Sequence, residues 1–161
     1  MPKITPIRVT EQFQHFLEEL KDSFWGDLYG KTRLAWEKLF DAQSLYRETG
    51  GVHTSGLCDG EKIVISAEDI GRHNTLDKIA GLCLMKNVWP ETRILITTGR
   101  ISSEMLQKAA RMQAPILISR TSPSSLSIEM AERYGITLIG YARKHRFNVY
   151  SNKQRIDSSV P

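Results

Sequence analysis

Apolar positions recur along this chain with two different periods. Over residues 10–24, Phe13, Phe16, Leu17, Leu20 and Phe24 return every three or four positions, which places them on one face of a helix. Thr10 stands where its N-cap belongs, and Gly26 and Gly30 end the pattern. A second helix is predicted over about 32–47, with Leu34, Leu39, Phe40, Ala42 and Leu45 apolar and Trp36 and Tyr46 as packing aromatics. From residue 52 the apolar runs shorten to strand length. Strands are predicted at 52–58 and 62–66, joined by the hairpin signal Asp59-Gly60, whose turn favours φ > 0. Further strands are predicted at 93–98, 115–119, 136–141 and 147–150. Helices fill the gaps: a third over 69–85 with Leu76, Ile79, Ala80, Cys83 and Leu84 on one side, a fourth from Ser102 or Ser103 to about 113, and a fifth opened by Ser122 as N-cap and Pro123 at the first turn.

The element order α-α-β-β-α-β-α-β-α-β-(β) implies an α/β protein: a mixed sheet with helices on both faces, three layers deep. We divide the chain into a helical extension (1–47), one α/β domain (48–151) and a C-terminal tail (152–161). Sheets of this kind place ligand sites beyond the carboxyl ends of their parallel strands.

Composition narrows the class. With 161 residues, 40% hydrophobic and 25% charged, the chain has ordinary globular composition and can bury a core without staples. No apolar run is long enough to span a bilayer and no leader precedes the first helix, so a soluble cytoplasmic protein with no membrane partner is expected. Cys58 and Cys83 then read as reduced, small core residues. No CxxC, HxxxH or HExxH spacing occurs, and no metal site is predicted. The net charge is +4, but five of the 22 basic residues lie between Tyr141 and Ile156 with no acid among them, leaving 17 basic against 18 acidic elsewhere. The excess is therefore local, a basic tail or an anion-binding spot, and nucleic-acid binding is not expected.

Five stretches carry chemistry. Thr49-Gly50-Gly51-Val52-His53 combines backbone freedom with a titratable ring; a helix C-cap before a half-buried histidine explains the same residues. In 68–78, Asp69, His73 and Asp77 recur every four positions, as acid–base groups on one helical face or as a capped helix with ion pairs, and Arg72 stands ready for a phosphate or a buried carboxylate. Thr98-Gly99-Arg100-Ile101-Ser102-Ser103-Glu104 is a strand-to-helix turn suited to an anion, or simple serine capping. The stretch 119–125, with Arg120 and Ser122, repeats that logic one unit later. Tyr141-Ala142-Arg143-Lys144-His145-Arg146-Phe147 offers cations for a diphosphate or a nucleic-acid backbone and aromatics for a base.

Taken together, "EDIGRHNTLDKIAG" (68–81), "TGRISSEMLQKAA" (98–110), Thr49–His53, Ala114-Pro115-Ile116 and Gly140–Tyr150 resemble the FdhD/NarQ family, the formate dehydrogenase accessory sulfurtransferases, over about 45–150. The resemblance implies a cytidine-deaminase-like α/β/α fold. It implies a part in sulfurating the molybdenum bis-molybdopterin guanine dinucleotide cofactor, with a cysteine desulfurase and formate dehydrogenase as partners and a homodimer as the assembly. GDP is a surrogate for half that cofactor. The residues it implicates in holding the cofactor are Gly50, Gly51, His53, Arg72, His73, Gly99, Arg100, Ser102, Ser122, Tyr141, Ala142, Arg143, Lys144, His145 and Arg146. Family members carry their persulfide on a CxxC loop upstream of the Thr-Gly-Gly-Val-His motif; this sequence has no such spacing, and Cys58 and Cys83 do not match it. His53, Asp69, His73 and Cys58 remain as catalytic candidates. Deaminase chemistry itself is excluded by the missing Pro-Cys-x-x-Cys zinc pattern. Two other classes stay open: a non-catalytic nucleotide-binding module, and a hydrolase or lyase built on Asp69, His73 and Asp77.

Overall fold

A computed structural model describes residues 44–60, 62–143 and 146–156. The predicted helix 10–24 and most of the predicted helix 32–47 lie outside these residues. The described chain runs α1 (Ser44–Thr49), β1 (His53–Cys58), β2 (Ile63–Asp69), α2 (Arg72–Lys86), β3 (Ile94–Thr97), α3 (Ser103–Arg111), β4 (Ile116–Ser119), α4 (Ser125–Tyr134), β5 (Thr137–Arg143) and β6 (Arg146–Val149), then a 3-10 turn at Lys153–Arg155. The six strands form one mixed sheet in the order β2-β1-β3-β4-β5-β6. β1 is antiparallel to both neighbours, β3, β4 and β5 are mutually parallel, and β6 returns antiparallel to β5.

The strand order decides where the helices go. From β2 across β1 to β3, then to β4 and β5, the crossovers all advance in one direction. Right-handed crossovers advancing one way deposit their helices on one face. The packing agrees: Leu76, Ile79 and Cys83 of α2, Met105, Leu106 and Ala109 of α3, and Met130, Ala131 and Tyr134 of α4 share one cluster with Leu57, Leu95, Leu117 and Leu138. The opposite face holds Cys58, Ile94, Ile96, Ile116, Ile118, Ile139 and Ala142, and no residue of α2, α3 or α4 joins that cluster. Helices on both faces were expected; among the described residues the three long helices share a face, because the helical crossovers all advance the same way.

Local chemistry sets the element ends. β2 runs through Asp69, beyond the predicted end at 66, because Thr54 and His53 pair with Glu68 and Asp69. The Asp69 carboxylate then accepts from the Gly71 N–H at 2.9 Å, an Asx turn that ends the strand and delays the helix to Arg72. The β1–β2 connection is four residues long: Asp59 N–H bonds Lys62 O at 3.2 Å and Asp59 Oδ1 accepts from Lys62 N–H at 2.9 Å. Gly60 takes φ 99° there while Asp59 keeps a negative φ, so the turn is not the two-residue type predicted. α4 starts at Ser125, capped by Ser124 rather than Ser122, because Ser122 O accepts from Ile101 N–H and Pro123 bridges Ile101. Helices α2 and α4 end on a left-handed cap, Asn87 and Gly135, and α3 reaches one a residue past its cap, at Gln113; the residue after each bonds back to Cys83, Ala131 and Ala109 respectively.

The segment after β6 stays on the domain. Asn152 Nδ2 donates to Ala131 O and Ile136 O, Ser151 Oγ donates to Ile136 O, and buried Arg155 donates to Gly135 O and Thr137 Oγ1. Arg155 is thus taken out of the basic stretch to tie the 3-10 turn to the start of β5. No described helix is long and apolar enough to cross a membrane.

Candidate functional site

Sheet direction gathers the predicted loops at one edge. β3, β4 and β5 end there, β1 begins there because it is antiparallel to β3, β2 ends there, and β5 turns into β6 there. His53, Asp69, Arg72, the 98–102 loop, the 120–124 loop, Tyr141, Arg143 and Arg146 consequently share one end of the sheet.

The loops are tied together by named bonds. Thr98 N–H donates to Thr54 O at 3.0 Å, and Thr98 Oγ1 accepts from Thr54 N–H at 3.0 Å. Thr98 Oγ1 also lies 3.4 Å from His53 Nδ1. Below it, Ser55 Oγ lies 2.6 Å from Thr75 Oγ1 and 2.9 Å from Thr97 Oγ1, so three buried hydroxyls link β1, α2 and β3. Thr97 Oγ1 accepts from Gly99 N–H, and Ser119 Oγ donates to Gly99 O at 2.6 Å. Gly99 has no room for a side chain: a Cβ there would sit 2.7 Å from Arg72 Cβ. That close approach lays the Arg72 stem along the β3–α3 loop, where its Nε is buried without a hydrogen-bond partner.

Burial and the Arg72 and Arg100 guanidiniums hold the His53 ring below its ordinary 6.5. The ring is therefore neutral at neutral pH. Gly50, at φ 64°, ends α1, while Gly51 has an ordinary φ. The C-cap explanation accounts for the first glycine and the half-buried histidine.

The stretch 68–78 proves to be largely a clasp. Glu68 accepts from Thr54 Oγ1 at 3.2 Å and from Leu45 N–H at 3.0 Å, joining β1 to α1. Asp69 accepts from Lys78 (2.6 Å), Gly71 N–H and Asn74 (both 2.9 Å), and these bonds, Lys78 first, keep its carboxyl far below the usual carboxylate range. His73 Nδ1 lies 3.6 Å from Glu104, and Asp77 pairs with Lys108 at 2.5 Å. Asp69 sits on a strand, so the three predicted acid–base groups do not share a helical face. Each answers to a different partner, which corrects that expectation.

Other predicted residues divide. Ser102 caps α3, accepting from Met105 N–H at 3.4 Å, and Ser122 contributes a carbonyl to the loop. Arg100, Arg143 and Arg146 are exposed, the last two paired across the β5–β6 hairpin. Tyr141 is 44% exposed at φ 51°, a strained backbone for a bulky residue, and its N–H bonds Thr121 O at 3.1 Å. Ala142 is buried in the second-face cluster, so its side chain does not line the site. Lys144 and His145 lie outside the described residues. Cys58 is fully buried at the far end of β1, about 17 Å along the strand from His53. Cys83 is buried in α2, where burial pushes its thiol up. Neither cysteine meets the edge. Thr98, Glu68 and the Ser55–Thr75–Thr97 hydroxyls were not singled out for these roles in the sequence, where nothing local marks partners separated by 14 or more residues.

The FdhD/NarQ family profile matches residues 31–157. The sulfur carrier protein FdhD of Bacillus pumilus is 48% identical over 120 residues, 74% of this chain and 46% of that protein. FdhD of Bacillus subtilis is 47% identical over 111 residues, 69% of this chain and 42% of its own length. A solved structure from Desulfotalea psychrophila, assigned as a formate dehydrogenase accessory protein, superposes with a TM-score of 0.72 at 38% identity, covering 79% of this chain and 55% of that one. The chain spans less than half the length of these curated relatives. A family profile over most of the chain and a matching fold at high identity agree with the motifs at the sheet edge: the chain belongs to the FdhD/NarQ family.

Proposed function

We propose that this chain serves in formate dehydrogenase maturation as the part that holds the molybdenum bis-molybdopterin guanine dinucleotide cofactor, or a guanine nucleotide, at the sheet edge. One observation carries the reading: strand direction brings Arg72, Arg100, Arg143, Arg146 and the exposed Tyr141 ring to one end of the sheet. Those groups suit a diphosphate and a base, the two parts of a guanine nucleotide other than its sugar. The orphaned Arg72 Nε fits a phosphate oxygen as its missing acceptor. Arg72, Arg100, Arg143 and Arg146 would hold the phosphates of such a cofactor, the exposed Tyr141 ring would be available to its base, and the cofactor would supply a metal centre able to accept sulfur. A cysteine desulfurase, formate dehydrogenase and a second copy of the chain are the partners proposed, in the cytoplasm.

A second reading, a binding module without turnover, is favoured by one specific observation. Both thiols are fully buried and away from the edge, and no CxxC spacing exists in the sequence. Sulfur then comes from cysteines on another polypeptide or segment. Calorimetric titration with GDP tests the site. Binding that an Arg143→Ala/Arg146→Ala double variant loses supports the assignment, and GDP at 100 times its Kd should add about 2.7 kcal/mol of stability. No binding at millimolar GDP overturns it.

A further inference from the structure

His53 is placed to change protonation state without any movement of the backbone. Thr98 Oγ1 accepts from Thr54 N–H and has its own proton free to donate to Nδ1 of a neutral ring protonated at Nε2. The same oxygen keeps a second lone pair. When the ring gains a proton, Nδ1–H donates to that lone pair across the same 3.4 Å. One threonine thus serves both states of the ring.

The charges around the ring favour the neutral state only while the edge is empty of anions. β2 presents Asp69 opposite His53 in the ladder, but that carboxylate is committed to Lys78, Gly71 and Asn74. Glu68, also on β2, is committed to Thr54 and Leu45. From α2 comes Arg72, with His73 turned to Glu104; from the β3–α3 loop comes Arg100. The ring therefore lies in the field of two positive groups, while the neighbouring carboxylates are engaged elsewhere. Arg72 also keeps a buried donor with no acceptor. A dianion would supply that acceptor and reverse the local field at once.

We propose that His53 takes up a proton from solvent when a dianionic group binds beside Arg72 and Arg100, so that anion binding at this edge is proton-linked. The inference rests on the reading of the edge as an anion site. Its sign follows from linkage. The ring titrates lower in the free protein than in the complex, so affinity rises as pH falls from the bound-state midpoint to the free-state midpoint and is flat outside that window. One linked proton gives a slope of at most about tenfold in Kd per pH unit.

The test uses sulfate, which stays a dianion throughout the titration range of histidine. The imidazole resonances of the whole chain are followed by NMR against pH, with and without sulfate at constant ionic strength. His53→Gln identifies the His53 signal, and Arg72→Gln reports whether sulfate sits at this edge. The expected result is an upward move of the His53 midpoint in sulfate, tighter binding at lower pH, and pH-independent binding by His53→Gln. Sulfate binding that Arg72→Gln weakens, with an unmoved His53 midpoint and a flat affinity, overturns the proton linkage and leaves the anion site standing. Sulfate that does not bind, or that binds equally well to Arg72→Gln, overturns both.

Discussion

Replacing Gly99 by alanine isolates the contact that positions Arg72. Gly99 is buried and its φ is not in the left-handed region, so alanine is acceptable to the backbone. By itself, removing a glycine from the unfolded chain stabilises by about 0.4–1 kcal/mol. Against that stands a new methyl 2.7 Å from Arg72 Cβ and 3.2 Å from Arg72 Cδ. The nearest atom is the root of the side chain, fixed to the first turn of α2, and cannot swing aside as a side-chain tip would. Either α2 or the β3–α3 loop must move, and the loop is held by Ser119 and Thr97. Overpacking of this kind costs about 1–3 kcal/mol, enough to outweigh the entropic gain. Net of that gain the loss is up to about 2.6 kcal/mol, and for a chain of this size the melting temperature should fall by up to roughly 10 °C. Gly81, inside α2, has nothing within 4 Å of a Cβ, so Gly81→Ala should stabilise by about 0.5–1 kcal/mol. Urea unfolding of both variants beside the parent gives two glycine-to-alanine changes of opposite sign. A Gly99→Ala protein as stable as the parent, with unchanged sulfate affinity, would refute the packing of Arg72 on Gly99.

Two further outcomes follow from the same geometry. Asp69→Asn should flatten the acid side of the stability profile: the native carboxyl titrates below its unfolded 3.8, so its contribution is full above that value and is lost as pH falls through the depressed native one, as acid titration of both proteins by circular dichroism will read. Ser55→Ala removes the hydroxyl between Thr75 and Thr97 and leaves buried oxygens short of a partner, at a cost of about 1–3 kcal/mol in urea unfolding; a neutral substitution would show that the three hydroxyls do not act together.

Helical spacing marked the three long helices, because each buries one face, and short apolar runs bounded by turn residues marked the strands, the central two of which are buried on both faces. The ends were harder to read. Asp69 looked like the first residue of a helix, yet backbone pairing with β1 and an Asx turn to Gly71 keep it on the strand. Ser122-Pro123 carried a helix-start signal that a bridge to Ile101 overrode. In each case a partner distant in sequence outweighed a local preference.

The site divides along the same line. Residue types and spacing alone identified the loops with cations and small residues, and the family motifs they spell. They also show that Cys58 and Cys83 are not in CxxC spacing. Tertiary structure alone decided that these loops meet, that the three long helices share one face, that Asp69, His73 and Asp77 part company, and that Cys58 is buried far from the edge. It also decided that Thr98 stands against His53 and Gly99 beneath Arg72. The reason is physical: hydrophobic periodicity is a property of neighbours in the chain, whereas hydrogen bonds, steric contact and the field at a titrating ring depend on distances that only the strand order sets.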